Sequence, residues 1–386
     1  MQDVFITNIH IDKVRHLEQL DIFLSDNERK HLILTGKNGS GKTSLLQAMS
    51  DYVLRQQFEK GRDDAYNMWS HHSDRLVRLV NNNENPGVTV SFSLQDIDFF
   101  KTVFVYVTAN RTQFVVPKSI EAIDILGKTV ITRNASKDFL KYILNLDYQL
   151  YGAKNERNKK LENNLETWFE NFLVALRDIY DCRELQLQRD TKNLTFNIEM
   201  PGRERFALHE MSDGYAAFLE IYMELLMRLE IIDAAVDYDK PAIVMIDEIE
   251  THLHVELQKR ALPFLTKMFP NIQFIVATHS PFIMTSLANA VIYDLEKHER
   301  LENPSFYSYD TVVESFLEIG MYSNELVSFF SRYKELCFKE RTQEENEEFL
   351  RAKAELEIKS IPSTELYIAF QDLEKRRKAA KNGSTT

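Results

Sequence analysis

Gly36-Lys37-Asn38-Gly39-Ser40-Gly41-Lys42-Thr43 decides the reading of this 386-residue chain. The eight residues match G-x-x-x-x-G-K-[ST], they follow the apolar run His31-Leu32-Ile33-Leu34-Thr35, and Ser44 to Phe58 then takes helical spacing. A buried strand, a glycine loop and a helix in that order form a phosphate cradle. Gly39 and Gly41 let consecutive backbone N–H groups turn inward on a polyphosphate, and the first turn of the helix adds partial positive charge at the same place. Asn38, Gly39, Ser40, Gly41, Lys42, Thr43 and Ser44 are therefore the candidate nucleotide contacts, with Lys42 reaching the β- and γ-phosphates and Thr43 offering its hydroxyl to Mg²⁺.

Working outward, Ala242-Ile243-Val244-Met245-Ile246 is another wholly apolar run, and it ends in Asp247-Glu248. Neighbouring strand residues face opposite sides, so Asp247 is expected to face the Mg²⁺ of the phosphate loop. Glu248, released at the strand end, is then the group that faces an attacking water. Further strands read from Asp3 to Leu24 as a pair, at Val88 to Phe92, at Thr102 to Thr108 and at Ile272 to Ala277. Helices read from about Asp63 to Val80, from Tyr215 to Leu229 and from Val255 to Met268. Strand and helix alternate, which predicts an α/β fold around a largely parallel sheet. From about Lys118 to Asp181, three- and four-residue apolar spacing predicts an inserted helical lobe, and Glu184–Gln188 with Leu194–Met200 predict a hairpin leading back to the core. After about Glu299 the chain reads as helical and charge-dense.

The 59 acidic against 47 basic residues give a net charge of -12, so bulk charge does not draw this chain to nucleic acid, and any DNA contact needs a local basic patch. No run approaches the roughly 18 uninterrupted apolar residues of a membrane span, and the first residues lack the apolar stretch of a signal peptide. Cys182 and Cys337 have neither metal nor redox spacing. The expectation is a cytoplasmic protein of a reducing compartment, with no membrane partner.

Several stretches carry a resemblance. Asp247-Glu248-Ile249-Glu250-Thr251-His252-Leu253-His254 resembles the D-E-P-E-x-H-L-H stretch of ABC-type AAA ATPases related to the overcoming-lysogenization nucleases, to the Septu and PARIS defence ATPases and, more distantly, to RecF and SMC heads. Ile249 stands in place of the usual proline. Met211-Ser212-Asp213-Gly214-Tyr215 resembles part of the ABC signature L-S-G-G-Q, Thr278-His279-Ser280-Pro281 is placed like the family's switch histidine, and Ala109-Asn110-Arg111 is similar to an A-N-R stretch of these ATPases.

The resemblance implies an ABC-type P-loop ATPase head with a mixed central sheet, an inserted helical lobe and a helical C-terminal extension. It divides the chain into an ATPase domain over residues 1–300, with the lobe at about 118–235 containing the signature, and a partner or oligomerisation region over residues 301–386. Ser212 and Gly214 would bind the γ-phosphate of ATP held by a second subunit, His279 would contact the γ-phosphate or the attacking water, and residues 250–254 would form a loop crossing to that subunit. Arg111 is the first choice, ahead of Asn110 and Gln113, as sensor of Mg²⁺ and nucleotide, and Arg15 or His16 would approach the adenine.

The implied catalytic set is Lys42, Glu248 and His279, with ATP and Mg²⁺ as cofactors and Thr43 and Asp247 as the metal ligands. Phosphate loop and signature lie on opposite flanks of such a head, which implies a homodimer or higher homo-oligomer closing on ATP. The function implied is an ATP-hydrolysing sensor and scaffold subunit of a bacterial anti-phage system, controlling a separate effector, a nuclease first of all. The residues after Glu299 show no D-x-D of a nuclease domain of their own. Two alternatives stand beside it. One is a RecF-like DNA-repair ATPase that clamps DNA through Arg157, Lys159, Lys160 and the run Glu374-Lys375-Arg376-Arg377-Lys378. The other is an ATP-locked scaffold with little turnover.

Overall fold

The computed structural model describes residues 3–59, 85–95, 97, 99, 102–110, 117, 138–229, 240–307, 311, 324–339, 341–359 and 369–377. The chain divides into two compact units, Met1–Val312 and Val313–Thr386.

In the first unit, β1 (Ile6–Val14) pairs antiparallel with β2 (Leu17–Phe23) on one side and with β4 (Val88–Phe92) on the other. The central sheet is built from β3 (His31–Thr35), β5 (Val103–Val107), β9 (Ala242–Ile246), β10 (Ile272–Ala277), β11 (Ala290–Asp294) and β12 (Glu299–Glu302), in the order β12-β11-β3-β10-β9-β5. Every neighbouring pair is parallel except β11 with β12, so the sheet is mixed. The residues of β9, β10 and β11 are all buried, which is why these strands are apolar apart from Gln273 and Asp294 rather than alternating. Because β3, β5, β9, β10 and β11 run the same way, the loops that leave them gather along one edge of the sheet.

The opposite edge, where these strands begin, is tied to the antiparallel sheet by Gln273. Gln273 is wholly buried; its Oε1 accepts from Ile6 N at 2.6 Å, and its Nε2 donates to Ile6 O at 3.0 Å and Lys30 O at 2.7 Å. Next to it, Phe274 N donates to Nδ1 of His31 at 3.1 Å. Desolvation, with a smaller push from Arg29, takes the His31 imidazole down to about 4.

Helix α1 (Lys42–Glu59) leaves the phosphate loop. The lobe contains α2 (Phe139–Glu156) and α3 (Lys159–Tyr180), joined through Arg157 in the left-handed region and capped by Asn158, whose side chain accepts from Leu161 N at 3.2 Å. The two helices share an aromatic core: the Phe172 ring lies 5.4 Å from Phe139 and 5.3 Å from Trp168. Strands β6 (Gln186–Asp190), β7 (Thr195–Glu199) and β8 (Phe206–Ala207) make the expected hairpin plus one short strand. Helix α4 (Asp213–Leu229) then runs buried through most of its length, and α5 (Val255–Met268) and the single turn α6 (Pro281–Met284) follow β9 and β10.

The helical reading after Glu299 is corrected at its start. Residues 299–302 are the edge strand β12, and β11 before it is a buried strand that the sequence pattern did not separate from its flanks. The acidic and basic residues of β12 are exposed because an edge strand presents its side chains to water. The helix expected at about Asp63 to Val80 lies outside the described residues.

In the second unit, α7 (Asn324–Leu336), α8 (Gln343–Lys359) and the helical residues 369–377 enclose Tyr333, Leu336, Phe349, Leu356 and Phe370. Its buried polar centre is Glu374, which takes the Tyr333 hydroxyl and the Arg377 guanidinium; Arg377 holds its carboxyl down to about 2. Among the described residues no helix is long and apolar enough to cross a membrane.

Candidate functional site

The phosphate loop takes the conformation its glycines predict. Gly36, Gly39 and Gly41 stand at φ of 129°, 87° and 100°, a region that side-chain-bearing residues rarely adopt. A Cβ on Gly36 would fall 2.8 Å from Ser40 Oγ, whereas one on Gly39 would meet nothing within 4 Å, so the outer wall of the loop opens outward. Lys42 is buried, and its ammonium donates to the loop's own carbonyls, Gly36 O at 2.8 Å and Lys37 O at 3.2 Å. Burial pushes the Lys42 ammonium down, while the carboxylates of Glu248, Glu250, Asp247 and Asp294 pull it back up.

Asp247 follows the last residue of β9 and is almost completely buried. Its backbone N–H donates to Val107 O at 2.9 Å, and its Oδ1 accepts from Thr43 Oγ1 at 3.2 Å. The two expected metal ligands are thus brought together across 204 positions of sequence. Glu248 leaves the strand at φ 43°, a strained setting for a residue with a side chain, and its carboxylate accepts from Thr251 Oγ1 at 3.4 Å. His279 follows the end of β10; burial and the nearby Lys42 hold its imidazole below its ordinary value, opposed by Glu250 and Glu248.

These residues suit a nucleoside triphosphate with Mg²⁺. Ser40 Oγ is buried without a hydrogen-bond partner, facing a loop whose N–H groups follow glycines in left-handed conformations. An anion arriving there would satisfy that hydroxyl and draw the Lys42 ammonium off its own carbonyls, and Thr43 with Asp247 supplies the hard oxygen donors that Mg²⁺ takes.

Ser212 is exposed directly before α4, and its carbonyl accepts from Ala216 N at 3.0 Å, opening the helix. Gly214 is buried against the turn after β9: a Cβ there would lie 2.8 Å from His252 O. The turn between β1 and β2 reaches the phosphate loop, since a Cβ on Gly41 would come within 2.9 Å of Leu17 Cδ1 and 3.5 Å of His16 Cε1. Arg15 is exposed beside it at φ 57°. Asn38 and Thr43 are exposed, and Ser44 is half-buried in the first turn of α1. Arg111 and Gln113 lie outside the described residues, and Asn110 is exposed after β5.

Sequence reading did not find the β11 end. Asp294 is buried beside Gly36 and caps the next turn, accepting from Glu296 N at 2.7 Å and Lys297 N at 3.0 Å, while Glu296 pairs with Lys37 at 3.2 Å. The signal available was an apolar run, AVIYD, closing on a carboxylate just as β9 does. Among the basic groups weighed for DNA, Lys159 pairs with Glu162, Arg376 with Asp372 and Arg377 with Glu374, each at 2.7 Å.

Sheet order, phosphate loop and strand-end carboxylates together make this an α/β fold with a mixed central sheet and a phosphate loop at the strand ends. Comparison with known proteins finds the following similarities. Residues 127–285 match the family described as "AAA domain, putative AbiEii toxin, Type IV TA system", a span that includes Ser212, Asp247, Glu248 and His279 and begins after the phosphate loop. The chain is 25% identical over 244 residues to "Retron Vc95 probable ATPase" of Vibrio cholerae serotype O1 biovar El Tor, covering 55% of this chain and 46% of that protein. It is 30% identical over 236 residues to "Retron Ec83 probable ATPase" of Escherichia coli (57% and 42%), and 22% identical over 314 residues to "Septu protein PtuA" of Bacillus mycoides (strain KBAB4) (77% and 41%). The matches thus span less than half the length of these curated relatives. Among solved structures, the SMC head domain from Thermotoga maritima aligns with a TM-score of 0.40 at 14% identity, over 75% of this chain and 94% of that one.

Proposed function

We propose that this chain binds ATP with Mg²⁺ and hydrolyses it, as the sensor and scaffold subunit of a bacterial anti-phage system that restrains a separate effector. The observation that carries the ATPase reading is the Thr43 to Asp247 hydrogen bond of 3.2 Å, which joins the phosphate loop to the β9 end with Glu248 as the next residue. In this reading the loop N–H groups and Lys42 hold the β- and γ-phosphates, and Thr43 and Asp247 hold the metal. Bound Mg²⁺ supplies charge neutralisation on the phosphate oxygens. Glu248 orients the attacking water and accepts its proton, and His279 holds the water or the γ-phosphate in line.

Ser212 is exposed at a helix start, so the anion site it offers is accessible to a second subunit. This supports a homodimer closing on two nucleotides, with hydrolysis as the step that reopens it. The names of the retron and Septu relatives support the defence setting.

The test is phosphate release from purified protein with Glu248→Gln as control. Release from the wild type, lost in the variant while ATP binding is kept, is expected; equal release from both overturns the site. Mass measurement with a nonhydrolysable ATP analogue tests closure, which a protein that stays monomeric would refute. Co-purification with the product of the neighbouring gene tests the effector, and absence of a complex with it would remove that part of the reading.

A further inference from the structure

We propose that Glu250 is a positioning residue for the switch histidine, its carboxylate fixing where the His279 segment lies beside Lys42 and Glu248. The inference rests on the ATPase reading above and deepens it. Glu250 spans two donors on the neighbouring strand end: Oε1 accepts from His279 N at 2.5 Å, and Oε2 accepts from Thr278 Oγ1 at 2.7 Å. Thr278 is wholly buried and its hydroxyl oxygen also accepts from Ser280 N at 3.0 Å, so its one proton is committed to Glu250. Bonds to an ionised acceptor are the shorter and stronger kind, and here one of them goes to the backbone of the histidine itself.

A second set of bonds closes the arrangement into a ring. Leu253 N donates to Glu250 O at 2.8 Å, Gln258 Nε2 donates to Leu253 O at 2.7 Å, and Ser280 Oγ donates to Gln258 Oε1 at 2.6 Å. The turn after β9 and the segment after β10 are therefore joined on both sides of His279, by Glu250 before it and by Gln258 after it. Ile249 adds an anchor: it is fully buried, and its N–H donates to Ala277 O at 3.4 Å.

The test uses the full chain carrying Glu250→Ala, Glu250→Gln, His279→Ala or both alanines, read by phosphate release, ATP binding and amide hydrogen exchange at His279. Glu250→Ala is expected to slow release about tenfold or more with ATP affinity kept within about twofold, and Glu250→Gln to recover most of that loss. The double variant is expected to be no slower than His279→Ala alone, because residues acting through one another are not additive. Exchange at the His279 amide is expected to rise about tenfold in Glu250→Ala. Losses that multiply in the double variant, or unchanged exchange at His279, overturn the proposal. If the wild type releases no phosphate the ATPase reading fails, and the exchange measurement, which needs no turnover, still supports or overturns the hold of Glu250 on His279. Thr278→Val, a buried near-isostere, serves if Glu250→Ala does not fold: by freeing one carboxylate oxygen it is expected to raise exchange at His279 about threefold, and no rise counts against the proposal.

Discussion

The two edges of the central sheet both bury polar groups, and Gln273 at one and Ser40 at the other differ in whether those groups are used up. Where the strands begin, Gln273 spends its amide on Ile6 and Lys30, and His31 spends Nδ1 on Phe274. Where they end, Ser40 Oγ has no partner, Lys42 is satisfied only by the carbonyls of its own loop, and Glu248 sits in a strained backbone setting. Unsatisfied buried groups and strain cost free energy, and they persist where a ligand offsets them. The first edge holds sheets together; the second leaves a hydroxyl and an ammonium for the anion proposed above to satisfy.

Four substitutions test that contrast, and the largest effect is expected at the ligand edge. Lys42→Ala should lower phosphate release about a hundredfold or more, with little change in melting temperature, since in the proposed reading it removes the main cation facing the transferred phosphate. A large fall in melting temperature instead would make Lys42 a structural residue and erase the distinction. At the other edge, Gln273→Ala leaves the Ile6 N–H, the Ile6 carbonyl and the Lys30 carbonyl without this partner, and should cost roughly 2–4 kcal/mol in denaturant titration while ATP affinity is unchanged.

Next in size is a pH effect at His31. Its folded value of about 4 lies below the ordinary 6.5, so the unfolded chain takes up the proton first. The stability linked to it is complete above 6.5 and is lost as pH falls from there to about 4, by up to roughly 3 kcal/mol. His31→Asn, which keeps an acceptor for Phe274 N, should flatten that part of the stability profile; an unaltered slope would assign it elsewhere. The smallest change is Gly41→Ala, which forces a side chain into φ 100° and should cost about 1–2 kcal/mol by thermal melting. A neutral result would mean that the loop relaxes freely and stores no strain.

How much of this was legible depended on whether a residue's role is local. The phosphate loop, Asp247 and Glu248 could be read directly, because a glycine pattern between a strand and a helix and a carboxylate pair after an apolar run carry their geometry with them. The long strands and helices were legible for the same reason. β11 and β12 were not separated: a short buried strand followed by a charged turn and an exposed edge strand has no period long enough to stand out from helix. Gln273 and Glu250 were illegible in a stronger sense. Their partners lie 267 and about 28 positions away, and nothing in a stretch such as IQFIVA says which polar side chain will bridge two sheets. Nor does a basic run say which of its members are paired: Arg376 and Arg377 each have a neighbouring carboxylate.

The ring of Tyr215, one turn into α4, lies flat on that of Tyr180, the last residue of α3, with centroids 4.1 Å apart and planes 11° apart. Arg260 and Lys267 on α5 fasten the same end of α3 through Asp178. The 22-residue α3 is about 33 Å long, so its far end is a lever arm whose short end carries Ser212. A load applied at the tip of the lobe would reach the Ser212 end of α4 as a rotation about that stacked pair.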